Sequence, residues 1–439
     1  MLSLKTLQRR EVVIVGLVTA ITTLLWGLSK HAVVQPDDLW PWRGPSQLLG
    51  LISLAYMALG LLAGARSITL EGLFGGLDRA IRLHRKLGMW AIIILVIHLL
   101  LLIPPWKASG KLVGDLFIPW YSPTARTPDI LVFYGFVVLA VLAYNQRLPY
   151  ARWLWLHQLN GALFLFFFIH IIFVPGSMMD FEPLSTWMVM LCTAGSLAYL
   201  YRILFFKRFG PRYGYTVEKV VQKTEEKFDL ILTPEQRRMT YNPGTFAFIM
   251  APDHPTLPKE LHPFTISSSP VNRELRFSIR AVGDYTQALR MVEPNTQIDV
   301  YGPFGGFSPN AFVKYRRLVL IGAGIGITPF LSMLAFELTN NDFRRIWLYY
   351  IVREKSHAGY DNEISSRYMD ADSYVDYDLW ITKDRGRLTA QKVWEDIGEI
   401  DDYAVMLCGT SAFNRDLTKQ FLELGLPRER IISEDFAFR

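Results

Sequence analysis

The chain has 439 residues, a formal net charge of +6 and 51% hydrophobic residues. That length allows two or three domains. Much of the basic charge flanks apolar runs, the pattern of membrane-protein loops, which argues against a nucleic-acid partner. The two cysteines, Cys192 and Cys408, exclude a disulfide framework and a cysteine-ligated iron–sulfur cluster, which needs four thiolates, or two with two histidines in the Rieske type.

Six apolar runs occupy residues 1 to about 206, near 12–28, 47–64, 88–105, 129–145, 153–175 and 185–205. Each approaches the ~20 residues of helix that cross a hydrocarbon core. Lys5, Arg9 and Arg10 precede the first run, as in a signal peptide, but five further runs follow and no small-residue cleavage site is evident. The run is therefore expected to be an uncleaved anchor. Lys and Arg are dense in the second loop (Arg66, Arg79, Arg82, Arg85, Lys86), in the fourth (Arg147, Arg152) and after the sixth run (Lys207, Arg208, Arg212). The fifth loop has none, and the first and third hold Lys30, Arg43, Lys107, Lys111 and Arg126. This bias predicts a multi-pass protein of the cell membrane with both termini and the charged C-terminal half in the cytoplasm.

Four of the eight histidines fall in or at the ends of two runs that cross in the same direction. His84 comes level with His157, and His98 with His170. Ionisable groups inside a membrane are costly and usually functional. Two imidazoles from facing helices suit bis-axial haem ligation, so His84, His98, His157 and His170 are the candidate metal ligands for two b-type haems. Fourteen residues at ~100° each place His84 and His98 within ~40° of one face. Thirteen residues leave His157 and His170 ~140° apart, so either that helix is irregular or the two haems are rotated relative to each other. The remaining histidines carry less: His31 ends a run, and His254 and His357 read as solvated loop residues.

From about 213 to 312 short strands broken by turns predict a small antiparallel β-barrel. The segment His262-Pro263-Phe264-Thr265-Ile266-Ser267-Ser268 offers an aromatic ring and small hydroxyls suited to a flavin. Arg280, Gly283 and Thr286 follow with a guanidinium, a turn glycine and a hydroxyl suited to a pyrophosphate. From about 316 strands alternate with helices, a parallel α/β pattern. Gly322, Gly324 and Gly326 lead from the strand RLVLIGA into a helix opened by Thr328 and Pro329. Such a turn permits close approach of phosphate to backbone N–H groups. Ile327 stands where the last glycine of a full dinucleotide fingerprint belongs.

In these segments the sequence resembles the NADPH oxidase and ferric reductase family, across nearly the whole chain. HPFTISSSP resembles its FAD motif and GAGIGITPF its nicotinamide motif, and YGPFGG at 301–306, LCG at 407–409 and the terminal EDFAFR match in order. The resemblance implies a multi-domain membrane protein: a six-helix transmembrane haem domain over 1–208, a β-barrel FAD domain over 209–312 and an α/β parallel-sheet nicotinamide domain over 313–439. It implies that Phe264 packs on the flavin and that Thr265 sits near its reactive nitrogen. It implies that His262 approaches the FAD phosphates, where soluble relatives usually carry Arg, and that Arg280 and Thr286 hold the pyrophosphate. Gly322, Gly324, Gly326 and Thr328 would cradle the nicotinamide cofactor. Cys408 and Gly409 would lie beside the nicotinamide, and Phe436, or Phe438 in its place, would cover the flavin. Arg353, with Lys355 and Ser356 nearby, suits the 2′-phosphate of NADPH, whereas Glu354 favours NADH and a solvated charge cluster explains the segment as well.

The expected function is electron transfer from NADPH (or NADH) through FAD and two haems across the bilayer. Oxygen is the first expected acceptor, giving a superoxide-producing oxidase. A ferric chelate, or a protein partner served by an electron-donor subunit, is the alternative. Arg43, Lys107 and Arg126 are outer-loop cations for haem propionates or an anionic chelate, or for solvent alone. No calcium-binding loop pattern precedes the first run, so calcium control is not expected and activity is expected to be constitutive.

Overall fold

The computed structural model describes residues 4–32, 42–122, 127–145, 148–173, 181–307, 315–340, 344–368, 374–398 and 402–435. It divides into two compact units, one of Arg9–Gly75 with Arg79–Lys207, the other built mainly of Arg208–Arg439.

The first unit is helical. A helix coincides with each apolar run: α1 Leu4–Ala32, α2 Arg43–Ala63, α3 Leu77–Ala108, α4 Thr127–Ala143, α5 Tyr150–Phe173 and α6 Glu182–Leu200. Among the described residues four stretches are long and apolar enough to cross a membrane: Arg10–Lys30, Arg43–Ala63, Leu77–Ala108 and Glu182–Phe209. Large apolar side chains on these helices point outward, among them Val12, Leu17, Leu24, Met190 and Leu197. Water would not tolerate that surface and a bilayer would. Helix contacts rely on small residues and hydroxyls, as expected where lipid removes the hydrophobic drive to associate. A Cβ on Gly195 of α6 would lie 2.9 Å from the Ala58 Cα of α2. Ser53 donates to the Ala91 carbonyl at 2.8 Å, and Trp187 donates to the Thr22 hydroxyl at 3.0 Å.

The second unit holds two sheets. Strands β1 Arg212–Gln222, β2 Lys227–Pro234, β3 Phe246–Met250, β4 His262–Thr265, β5 Leu275–Arg280 and β6 Gln297–Phe304 form an antiparallel sheet ordered β4-β3-β6-β1-β2-β5. An isolated bridge from Ile266 to Phe277 links the end of β4 to β5, the opposite edge. The short helix α7, Asp284–Leu289, follows β5. The other sheet is parallel, ordered β11-β10-β7-β8-β9, with β7 Arg317–Ala323, β8 Arg345–Val352, β9 Val375–Ile381, β10 Tyr403–Gly409 and β11 Ile431–Asp435. Helix α8, Thr328–Asn340, follows β7, and α9, Asp361–Tyr368, follows β8. The run LVLIG of β7 is wholly buried, as helices on both faces of a parallel sheet require.

A buried polar cluster joins the two sheets. The carboxylate of Asp229 on β2, 1% exposed, accepts from Ser278 at 2.6 Å and from Tyr360 at 3.0 Å. Lys223 lies 3.4 Å from Asp229 and 3.4 Å from Glu363 of α9, and Arg276 pairs with Glu363 at 2.7 Å. Burial alone would raise the Glu363 carboxyl, but Arg276 and Lys223 beside it hold it below the usual range. Lys227, also buried, donates to the His357 carbonyl at 2.6 Å.

The cluster can be tested at two of its members. Asp229→Ala removes one of the two carboxylates that Lys223 and Arg276 share. It should cost roughly 3–5 kcal/mol, the usual effect of breaking a buried pair, seen as a lower melting temperature of the full-length protein by circular dichroism. Burial pushes the Lys227 ammonium down to about 8, the nearby Arg280 cation adding to the shift and Glu226 opposing it. A lowered lysine destabilises the fold in full below its folded pKa. That penalty fades as pH rises from about 8 towards the unfolded value near 10.4, because the unfolded chain binds more protons there. Wild type should gain stability between pH 8 and pH 10 relative to Lys227→Met, and parallel pH curves for the two would refute the assignment.

Candidate functional site

In the helical unit the structure brings the four histidines together in two places. Their Nε2 atoms set His84 of α3 and His157 of α5 3.4 Å apart. The His84 Nδ1–H donates to the Gly60 carbonyl at 2.8 Å. The His157 ring stacks on Trp153 with centroids 5.2 Å apart, and its buried Nδ1 has no hydrogen-bond partner among the described residues. At the second place His98 and His170 line one apolar cavity, with Leu51, Leu95, Phe133 and Phe167 among its walls. The His98 Nδ1–H donates to the Ser46 carbonyl at 2.7 Å, and the His170 Nδ1–H donates to the Asp129 carboxylate at 2.9 Å.

The acceptors are spaced as the histidines are. Ser46 and Gly60 are fourteen residues apart on α2, and His84 and His98 are fourteen apart on α3. His98 meets Ser46 and His84 meets Gly60, so α2 runs antiparallel to α3 and each acceptor falls level with its imidazole, about 21 Å of helix separating the tiers. Close approach depends on glycine: a Cβ on Gly50 would sit 3.1 Å from the His98 ring, and one on Gly64 3.2 Å from His84 Nδ1. Three of the four imidazoles thus have Nδ1–H committed to an acceptor, which leaves Nε2 as the free ligating atom. An iron held between two imidazoles needs about 4 Å between the nitrogens, ~2 Å on each side, so the His84/His157 pair would open by about half an ångström. The donor set and its apolar surroundings fit haem.

In the antiparallel sheet His262, Pro263, Phe264 and Thr265 form β4 at one edge. Phe264 is half-buried against the sheet core and Thr265 is buried. The His262 ring stacks on Tyr285 at 3.7 Å, and its Nε2 lies 3.1 Å from the Glu260 carboxylate. Burial under that ring pushes the Tyr285 phenol up, with Glu260 adding to the shift. The Ser267 hydroxyl donates to the Arg276 carbonyl and meets Ser278 at 2.8 Å, while that of Ser268 meets Tyr241 at 2.9 Å. These two hydroxyls therefore shape the turn. Arg280 pairs with Glu226 at 2.8 Å on the surface. Thr286 accepts from the Gly283 and Val282 N–H groups and donates to the Gly283 carbonyl, capping α7.

In the parallel sheet chain order reverses direction between β7 and β10, with β8 and β9 on one side and β11 on the other. Ligands of open α/β sheets bind outside the carboxyl ends of strands at such a reversal. The residues at those two ends are Gly322–Thr328 after β7 and Cys408–Gly409 closing β10. Cys408 pairs with Gly322 on one side and with Glu434 on the other. Any Cβ on Gly326 would collide with the Cys408 carbonyl oxygen, and one on Gly409 would lie 2.7 Å from Phe413. Gly324 has φ +60°, a left-handed conformation open to space. The Thr328 hydroxyl donates to the Ile325 carbonyl at 3.0 Å, and Pro329 takes the next position of α8. Arg353 is exposed just past β8, and neighbouring Glu354 pairs with Lys383 at 3.1 Å. Phe436, Phe438 and Arg126 lie outside the described residues.

Sequence reasoning missed three groups. Ser332 of α8 donates to the Ser268 carbonyl at 2.6 Å and so ties the glycine-turn helix to the HPFTISS segment. Its signal was a small hydroxyl between Leu331 and Met333 on an otherwise mostly apolar helix. Glu434, 3% exposed on β11, is a buried carboxylate whose strand had no repeat to mark it. Asp129, the partner of His170, has no sequence signal at all.

Comparisons with known proteins agree with this geometry. Residues 49–173 match the family described as ferric reductase like transmembrane component, 212–303 an FAD-binding domain, and 320–419 an oxidoreductase NAD-binding domain. Fold and site define a membrane protein in which a ferric reductase-like helical domain is joined to an FAD- and NAD-binding reductase module. NADPH oxidase 1 of Rattus norvegicus is 33% identical over 41% of this chain and 34% of its own length. A superoxide-generating NADPH oxidase heavy chain of Dictyostelium discoideum is 25% identical over 55% and 38%, and ferric reduction oxidase 4 of Arabidopsis thaliana 24% over 70% and 43%. The chain thus carries these three domains, and its homologues include NADPH oxidases and ferric reduction oxidases. It spans between about a third and two fifths of the length of these relatives. Among solved structures, flavohemoglobin from Malassezia yamatoensis is similar in fold, with TM-score 0.50 and 16% identity over 99% of this chain and 98% of that one.

The glycine turn yields a prediction. Gly326→Ala should abolish NADP binding in equilibrium titration, because its Cβ meets backbone. Gly324→Ala meets no atom and pays only the left-handed conformation, about 1–2 kcal/mol, or a weakening of about five- to thirtyfold. Equal losses for the two would show that the turn is not packed as described.

Proposed function

We propose that this chain is a transmembrane NAD(P)H oxidoreductase that passes electrons from NADPH through FAD and two b-type haems to oxygen on the far side of the cell membrane. The observation that carries the reading is the His84/His157 pair: two imidazoles from separate apolar helices, Nε2 to Nε2 at 3.4 Å, one fixed by a backbone carbonyl. Six spans, α1 to α6, enclose the sites, with His84 and His157 holding the inner haem and His98 and His170 the outer. The bias of Lys and Arg keeps both termini and the reductase half cytoplasmic. Domain limits of 1–208, 209–312 and 313–439 accompany this reading, the middle domain being a barrel closed through the Ile266 bridge.

Bound nicotinamide supplies a hydride, flavin divides the pair into single electrons, and haem iron carries them one at a time. The chain's own residues bind and align. Phe264 and Thr265 offer the flavin a ring face and a buried hydroxyl, with Pro263, Ser267 and Ser268 in the same segment, and His262, Arg280, Gly283 and Thr286 would stand at its phosphate end. Gly322, Gly324, Gly326, Thr328 and Pro329 present backbone N–H groups to the dinucleotide phosphates. Arg353 would receive a 2′-phosphate and Cys408 and Gly409 would border the nicotinamide, while Phe436, outside the described residues, is expected to cover the flavin. The tie between Ser332 and Ser268 supports alignment of the two motifs, which hydride transfer by proximity needs. A ferric chelate is the second reading of the acceptor, favoured by the likeness to ferric reduction oxidase 4. A protein acceptor served by this chain is the third.

Purified protein should show a bis-imidazole haem spectrum, and His157→Ala and His170→Ala should each lose about half of it. NADPH consumption under air, read with cytochrome c with and without superoxide dismutase, is compared with anaerobic ferric citrate. A dismutase-sensitive signal with weak ferric turnover supports oxygen. Fast anaerobic ferric reduction with little superoxide makes the chain a ferric reductase.

A further inference from the structure

The two imidazole pairs differ in what stands behind them. His84 and His98 donate to peptide carbonyls, and His157 rests on the Trp153 ring. Among the described residues His170 is the one of the four that donates to a carboxylate, that of Asp129 in the first turn of α4, at 2.9 Å. The pair lines the cavity shared with His98, whose walls are mostly apolar, and both side chains are about a third exposed, at 30% and 32%.

We propose that Asp129 sets the reduction potential of the outer haem: by holding the His170 Nδ1–H it stabilises the oxidised site and makes the reduced site the stronger one-electron donor. This rests on the reading of His98 and His170 as haem ligands. A carboxylate behind an imidazole raises the basicity of the ligating nitrogen. Ferric iron carries one more positive charge than ferrous iron, so a more basic ligand with an anion behind it favours the ferric state. The step is a single electron gained or lost at iron. No bond forms or breaks, and the proton stays on Nδ1. Asp129 is a positioning residue in this role, since it acts through His170.

Asp115 provides the control. It is buried, lines the same cavity, and accepts from the Ser122 hydroxyl at 2.5 Å. Removing its charge alters the field in the cavity without touching a ligand.

The experiment is an optical redox titration of the full-length protein in nanodiscs, resolving both haems, for wild type, Asp129→Asn, Asp115→Asn and Asp129→Glu. Asp129→Asn should shift the ferric/ferrous equilibrium of one haem about tenfold towards ferrous, about 59 mV for one electron, and leave the other unchanged. Asp115→Asn should move it by less than half as much. An unchanged potential in Asp129→Asn overturns the proposal, as does an equal shift in Asp115→Asn. If Asp129→Asn fails to retain haem, Asp129→Glu decides. A wild-type potential there supports the carboxylate's role, and a raised one overturns it. Absence of a bis-imidazole spectrum from the wild-type protein instead overturns the haem reading itself.

Discussion

A neutral imidazole inside an apolar bundle has two nitrogens, and the one that finds an acceptor decides what the other can do. In this protein the acceptors come from other helices. Gly60 and Ser46 on α2 hold His84 and His98, and Asp129 on α4 holds His170. Each bond satisfies a donor that would otherwise cost free energy out of water. Each also fixes the ring's tautomer and aims Nε2 away from α2 or α4. Helix α2 therefore does more than fill space. Its fourteen-residue spacing of acceptors copies that of the α3 histidines, and its Gly50 and the Gly64 that caps it let the rings approach the backbone.

The reductase half obeys a different constraint, that a parallel sheet opens a crevice where its strand order reverses. Both ends of that crevice are made of backbone. Gly326 lies so close to the Cys408 carbonyl that no side chain fits between them, and the glycine turn is thereby locked to β10. The strand beyond β10 brings Glu434 level with Cys408, and α8 reaches across through Ser332 to the Ser268 carbonyl. The polar cluster at Asp229 holds the same two sheets together farther away, through α9. Alignment of the two cofactor motifs is thus secured at two separated points, by a hydrogen bond at one and by ion pairs at the other.

What the sequence made legible was local. Apolar runs marked the helical domain, in which four stretches among the described residues are long and apolar enough to cross a bilayer, because a bilayer demands ~20 apolar residues in succession. Strand–glycine–helix order marked β7 and α8 because a tight turn leaves a pattern of glycines. The four histidines stood out because ionisable groups are rare in such runs. Long-range partners were illegible. Asp129 lies 41 residues from His170, and Asp229 lies 131 from Tyr360, and no periodicity connects them. Strand β11 was too short to mark itself among the polar residues around it. Arg280 and Thr286 show the reverse case: their types suit a pyrophosphate, while the fold gives their side chains a partner in Glu226 and a place in a helix cap.

The spacing of thirteen on α5 explains why the two tiers are unlike. Helix α5 is α-helical from Tyr150 to Phe173, without an irregular turn to restore the phase. His157 and His170 therefore leave it ~140° apart, whereas His84 and His98 leave α3 within ~40°. The fourteen-residue repeats of α2 and α3 would by themselves build two equivalent sites, each with a ring backed by a carbonyl. Because α5 breaks that repeat by one residue, its two imidazoles cannot face the same neighbours. His157 turns towards His84 and lies on Trp153, one turn earlier on its own helix. His170 turns towards α4, where the first turn carries Asp129. One residue of spacing thus separates an imidazole backed by an aromatic ring from an imidazole backed by a carboxylate.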